Sequence, residues 1–252
     1  MKRITRPPGN RRNALFVAVA VLAATSASVA AADDGRGPLG VTARASGTAA
    51  ASRVGALFGG SGPLEGGHFC TASVVHSKGR NLLVTAAHCL DGGGKLRFVP
   101  GYRDGKAPYG IWEIRRTYVG DAWTGAQDED SDVAFATVAD RGGKGVEDVV
   151  GGNAFVTGRE TGATAVTVTG YPSILEAPIT CTNRPTAQSR TQQRIACPAF
   201  AGGTSGSPWV NGYGEVVGVI GGHEAGGDTD DISYSVVLGD EARDLYRSTQ
   251  EQ

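Results

Sequence analysis

Short runs of apolar residues, many of them alternating with polar ones, recur along most of the chain and are separated by clusters of Gly, Asp and Ser. This pattern predicts buried and half-buried β-strands, because successive side chains of a strand point to opposite faces. A first series covers residues 53–58, 70–76, 81–85, 95–99, 110–119 and 132–138. A second covers 154–156, 163–169, 194–197, 207–210, 215–220 and 232–237, and a helical pattern follows at 240–247. Between the two series, residues 140–150 are rich in Gly and charge and read as a linker. Residues 33–51 have no periodicity that could bury a face, which predicts a propeptide or a flexible N-terminal segment over 33–52.

Length and composition fit this reading. A chain of 252 residues suits one or two domains, and its 39 glycines exceed the usual share of about 7%, as tight turns between many strands require. Residues 1–32 have the layout of a secretory signal: five basic residues and no acid, an apolar core at 14–24, and Ala30-Ala31-Ala32 before Asp33. The apolar core is Ala-rich and short against the roughly 20 residues a spanning helix needs. The expected location is therefore extracellular, with no membrane contact once the signal is removed. Arg11-Arg12 keeps twin-arginine export open beside the general route. Without Lys2, Arg3, Arg6, Arg11 and Arg12, 19 of the 24 basic residues face 25 acidic ones, and such a mildly acidic body gives no hint of a nucleic-acid surface, so no nucleic-acid partner is expected. Four cysteines in an exported chain read as two disulfides, in any of three pairings by arithmetic. A zinc site lacks support, since the chain has neither a close Cys pair nor a helical His pair.

Three motifs carry chemistry: Thr85-Ala86-Ala87-His88-Cys89, Asp132-Val133-Ala134-Phe135 and Gly203-Thr204-Ser205-Gly206-Ser207-Pro208-Trp209. A serine hydroxyl is a poor nucleophile at neutral pH; it needs an imidazole to take its proton and a buried carboxylate to orient that imidazole. Ser205 lies on a glycine-rich turn where backbone can approach a substrate closely. His88 follows the apolar Leu82-Leu83-Val84 and should top a strand. Asp132 leads into an apolar run, which favours it over its neighbours Asp128, Glu129 and Asp130. That acidic run does not fit a calcium loop, because Val133 stands where glycine is expected and the terminal glutamate is missing. An α/β-hydrolase would need glycine at 207, where Ser stands, and the order Ser, Asp, His.

The three motifs in the order His, Asp, Ser resemble the chymotrypsin-like (trypsin-like) serine endopeptidases, and the Gly-x-Ser-Gly-Ser-Pro form resembles their bacterial secreted branch, which includes the glutamyl endopeptidases. The resemblance implies an all-β fold of two packed six-stranded antiparallel barrels, over 53–145 and 146–252, the second ending in a short helix. It implies a secreted endopeptidase, here expected as a monomer, that cleaves protein or peptide substrates through an acyl-enzyme with no cofactor; no metal is expected among the site residues, and calcium bound elsewhere stays open. Ser205 would attack, His88 would shuttle the proton, Asp132 would orient His88, and the amides of Gly203 and Ser205 would hold the oxyanion. The resemblance pairs Cys70 with Cys89, which would brace the base, and leaves Cys181 for Cys197. It gives His68 a structural role, leaves His76 on the surface, and places Ala199 at the base of the primary pocket with Gly221, Gly222 and His223 on its wall.

Two departures bear on activation and specificity. Thr204 stands where digestive relatives have the aspartate that receives a freed N-terminus, so Arg53-Val54-Gly55 is discounted as an activation site despite its likeness to one. Ile220 aligns with the wall histidine of the glutamate-specific relatives. An acidic preference through His223, a basic one through Asp228, Asp230 or Asp231, and a broad one all stay open. The rival reading from another class is a protease-like binding or adhesion module without turnover, which an intact triad opposes.

Overall fold

The structure is a computed structural model that describes residues 38–251. The predicted signal at 1–32 and the start of the 33–52 segment lie outside the described residues. The chain order is β1 (Thr42–Arg44), α1 (Ala49–Ser52), β2 (Val54–Gly59), β3 (His68–Val75), β4 (Leu82–Thr85), β5 (Leu96–Pro100), β6 (Trp112–Val119), α2 (Asp121–Ala126), β7 (Ala134–Val138) and α3 (Val146–Val150). It continues with β8 (Ala154–Phe155), β9 (Val166–Gly170), β10 (Ile179–Asn183), β11 (Thr186–Ala187), β12 (Gln192–Ala196), β13 (Pro208–Asn211), β14 (Glu215–Val219), β15 (Ile232–Val236) and α4 (Asp240–Ser248).

The first six predicted runs all become strands, and these close into an antiparallel barrel in the order β2-β3-β4-β7-β6-β5. Closure leaves no sheet edge exposed. Leu57, Ala72, Val74, Leu83, Phe98, Trp112 and Val138 fill its interior. The second half is all-β but less regular. A six-stranded sheet, β1-β10-β9-β13-β14-β8, and a three-stranded one, β11-β12-β15, enclose a core that includes Val168, Ile195, Phe200, Trp209 and Ile220. Its β8 lies parallel to β14, unlike the antiparallel pairs elsewhere in these sheets. Together the halves form the chymotrypsin-like, mostly β architecture that the motifs implied, with α4 as the closing helix.

Three segments differ from the sequence reading. Thr42–Arg44, inside the stretch without periodicity, pairs with β10 as β1, with Thr42 opposite Cys181 and Arg44 opposite Ile179. It is also clasped to the first barrel, since Arg44 meets Asp104 at 2.8 Å and Arg103 donates to the Ala45 carbonyl at 2.7 Å. Backbone pairing holds this segment, and small side chains such as those of 45–52 give no apolar period to read. Within the expected linker, Val146 and Val150 of α3 pack into the first-barrel core. The strand β10 escaped notice because its buried face consists only of Ile179 and Cys181, among threonines.

The chain ends cross over. While β1 completes a sheet of the second half, α4 packs on the first barrel: the Tyr246 ring lies 5.6 Å from that of Phe135, and its hydroxyl donates to the His76 carbonyl at 2.6 Å. Ser131 donates to Glu241 of α4 at 2.9 Å, which fixes the turn just before Asp132. Disulfides join Cys70 to Cys89 and Cys181 to Cys197, in the pairing that the resemblance implied.

Candidate active site

After β4 the chain makes a short 3-10 turn, Ala87–Leu90, that carries His88. Ala86 and Ala87 are fully buried, so their small side chains let this turn press against the barrel, and the Cys70–Cys89 bridge ties it to β3. Asp132 follows a second 3-10 turn, Glu129–Ser131, and its side chain has no solvent exposure. The His88 Nδ1 and Asp132 Oδ2 are 2.7 Å apart. Oδ1 accepts the His88 backbone N–H at 3.0 Å, and Oδ2 also accepts the Gly222 N–H at 2.8 Å. A buried carboxylate is costly unless donors surround it, and three do so here. With Nδ1–H committed to Asp132, Nε2 is the ring atom left with a free lone pair. The imidazole is partly exposed, and one side faces the indole of Trp123, 6.4 Å away between centroids. The Trp123 Nε1–H in turn donates to the Asp91 carboxylate at 2.9 Å.

Ser205 lies half-buried on the turn before β13. Its carbonyl accepts the Thr71 N–H at 2.8 Å, and Gly206 N–H donates to the Ile220 carbonyl at 2.7 Å. Gly206 has φ +82°, and a Cβ there would come within 2.1 Å of the Thr71 carbonyl and 2.2 Å of the Thr85 hydroxyl. Only glycine fits so close an approach. The Gly202 carbonyl accepts the Ser173 N–H at 2.8 Å, and the Thr204 carbonyl accepts the Ser207 N–H at 3.0 Å. A trans peptide points its N–H opposite to its C=O, so the amides of Gly203 and Ser205 face away from these partners. Among the described residues neither amide donates to an acceptor.

A profile of the trypsin-like peptidase domain matches residues 70–219, more than half of the chain. The chain belongs to the trypsin-like peptidase family. Solved structures resemble it over most of its length. The protease Anisep from Arthrobacter nicotinovorans is 25% identical, with a TM-score of 0.71 over 84% of this chain and 100% of that one. A thermostable serine protease, AL20, from an extremophilic microorganism is 24% identical, with a TM-score of 0.69 over 81% and 99%. A Glu endopeptidase solved with MPD is 18% identical, with a TM-score of 0.68 over 86% and 99%. The last two likenesses bear on fold alone. No curated protein matches the sequence.

The remaining expected residues of this trypsin-like domain fall in several places. His68 is buried among Phe58, Tyr102 and Tyr171, and its Nε2 lies 3.1 Å from the Pro172 carbonyl. Burial pushes the Tyr171 phenol above its usual range; burial and Glu176 do the same to Tyr102, which donates its O–H to that carboxylate. His76 is at the surface, 2.7 Å from Glu147. Thr204 is buried and donates to the Ala201 carbonyl at 2.8 Å, while Val54 is buried and its carbonyl accepts the Gly101 N–H at 2.9 Å. Cleavage between Arg53 and Val54 would thus cut a continuous paired segment, with no aspartate to receive the new terminus.

Around the expected specificity pocket, Ala199 is exposed with φ +68°. Gly221 and Gly222 are buried; a Cβ on the first would meet Asp132, and on the second the Gln192 side chain. The His223 ring turns edge-on to Tyr234 at 4.8 Å, with Nδ1 3.5 Å from Glu129. Asp228, Asp230 and Asp231 are exposed. Cys70, Cys89 and His88 lie within 4.8 Å of one another, but their sulfurs are bonded together and offer no thiolate to a metal. Sequence reasoning missed Trp123 beside the imidazole, the Ser173 amide behind the glycine turn, and Thr71. The first two sit on segments with no motif, and Thr71 read as one more strand residue.

Proposed function

We propose that this trypsin-like peptidase is an exported serine endopeptidase in which Ser205 Oγ attacks the scissile carbonyl carbon. His88 Nε2 takes the hydroxyl proton, and the oxygen gains negative charge between the amides of Gly203 and Ser205. Collapse of this tetrahedral species breaks the C–N bond, His88 gives its proton to the leaving amine, and the acyl group stays on Ser205. Water then attacks the ester with His88 again as base, which releases the acid and restores the serine. Asp132 stays ionised throughout; it fixes the imidazole tautomer and stabilises the imidazolium. The observation that carries this reading is the fully buried Asp132 carboxylate, with one oxygen 2.7 Å from His88 Nδ1 and three donors in all. A carboxylate kept in that state away from water has a clear use in supporting a positive charge on the ring.

Substrates are proteins or peptides, and the chain acts as a monomer without cofactor or metal. The paired disulfides are consistent with an oxidising, extracellular location, and among the described residues no helix is long and apolar enough to cross a membrane. The substrate side chain next to the scissile carbonyl enters between the loop around Ala199 and the segment Gly221-Gly222-His223. Glu129 already engages His223, which opposes an acidic preference through that ring.

The test is labelling of the secreted, oxidised protein with a fluorophosphonate probe beside Ser205→Ala, followed by peptide mass spectrometry. Modification at Ser205 that disappears in the variant is expected. A folded wild-type protein that stays unlabelled would favour the binding-module reading.

A further inference from the structure

We infer that the Thr71 hydroxyl is a positioning group for the oxyanion amides, an inference that rests on the catalytic reading of Ser205. Thr71 is fully buried on β3, next to the cysteine that braces His88. Its Oγ1 donates to the Gly203 carbonyl at 3.0 Å and accepts the Tyr171 N–H at 3.0 Å. Its backbone N–H donates to the Ser205 carbonyl at 2.8 Å, and its own carbonyl accepts the Thr85 hydroxyl at 2.8 Å. One residue therefore holds both ends of the turn that carries the two oxyanion donors, and a threonine of β4 anchors it from behind.

The need for such a holder follows from Gly202-Gly203. Two adjacent glycines can rotate the intervening peptide at little cost, and rotation would turn the Gly203 N–H away from the substrate. The peptide before Gly203 is restrained by Ser173 N–H on the Gly202 carbonyl; the peptide after it is restrained by Thr71 Oγ1 on the Gly203 carbonyl. Thr71 also accepts from Tyr171, two residues before Ser173, so the same hydroxyl anchors the segment that supplies the other restraint. A hydroxyl can donate once and accept at the same time, and both capacities are used. Valine has the same shape and the same preference for a strand but can do neither.

The experiment compares wild type, Thr71→Val and Thr71→Ser, each standardised by burst titration of the active serine so that unfolded protein does not count. With a peptide substrate, Thr71→Val is expected to lower kcat by about tenfold to a hundredfold, since loss of an oxyanion donor outright costs about 10²–10³, with KM within about threefold. Affinity for a peptide aldehyde, whose adduct places its oxygen at the same amides, should fall in parallel. Thr71→Ser should restore both to within about threefold, because it keeps the hydroxyl. If Thr71→Val does not accumulate, Thr71→Ala takes its place with the same expectation. Titrated variants that match wild type in kcat and aldehyde affinity and differ only in melting temperature would overturn the inference, as would failure of the serine variant to rescue. Failure of the catalytic reading is separable, because then wild type itself neither labels at Ser205 nor turns over.

Discussion

The first barrel and the second half position their parts of the site by different means. In the first, a closed antiparallel ladder delivers His88 and Asp132 at the ends of regular strands, where short turns with small or capped residues present them. In the second, the proposed nucleophile, Ser205, lies on a glycine turn whose shape comes from hydrogen bonds with other segments: Thr71 from the first barrel, Ser173 from the loop after β9, and Ile220 from beyond β14. Regular structure places His88 and Asp132, and a set of contacts from distant segments places Ser205. The His88–Asp132 pair is thus tied chiefly to barrel integrity, with Gly222 and Glu241 as its contacts from the second half, whereas the turn proposed to hold the oxyanion depends on how the halves meet.

The largest expected effect tests the first-barrel arrangement. Asp132→Asn keeps the shape but presents an amide to a ring that needs an acceptor, and kcat should fall by about 10⁴; because either orientation sets the new NH2 against a backbone N–H of His88 or Gly222, a melt of the purified protein should also show a loss of about 1–3 kcal/mol. Next comes the turn. Gly206→Ala puts a methyl group 2.1 Å from a backbone oxygen at φ +82°, and a loss of about 3 kcal/mol or more is expected in denaturant unfolding. The two disulfides divide the halves most directly. Their loops span 19 and 16 residues, so removing either bridge should cost about 3 kcal/mol. Kinetics on folded, titrated protein should then separate them: loss of Cys70–Cys89 lowers kcat, because it frees the turn that carries His88, and loss of Cys181–Cys197 leaves kcat within about threefold. The smallest effect belongs to Arg44→Ala, whose exposed pair with Asp104 is worth less than about 1 kcal/mol in a melt. A larger loss there would mean that the N-terminal clasp matters more to the junction than its exposure suggests.

What could be read from sequence follows the same division. The six strands of the barrel were visible as short apolar or alternating runs bounded by Gly, Asp and Ser, several of them buried on both faces, and residues such as Leu82-Leu83-Val84 lead straight to the histidine. The candidate site was visible as three short motifs, since the chemistry restricts which residues can stand there. The 42–44 strand, α3 and β10 were not, because pairing through backbone or through two buried residues leaves little compositional trace. Nor could the motifs show Thr71, whose identity matters only once Gly203 and Tyr171 are brought beside it from 100 or more positions away. Specificity was the least legible part: the resemblance put His223 on the pocket wall although Ile220 takes the aligned position, and the His223 ring is turned to Glu129 and Tyr234.

The exchange of chain ends has a consequence for the order in which activity arises during synthesis. A ribosome releases the first barrel with His88 and Asp132 well before Ser205, and the helix that supports Ser131 and packs on Phe135 follows after Ser205. A nascent chain therefore carries His88 and Asp132 apart from Ser205, and the Ser131–Glu241 contact beside Asp132 forms only when the helix docks back on the domain made first.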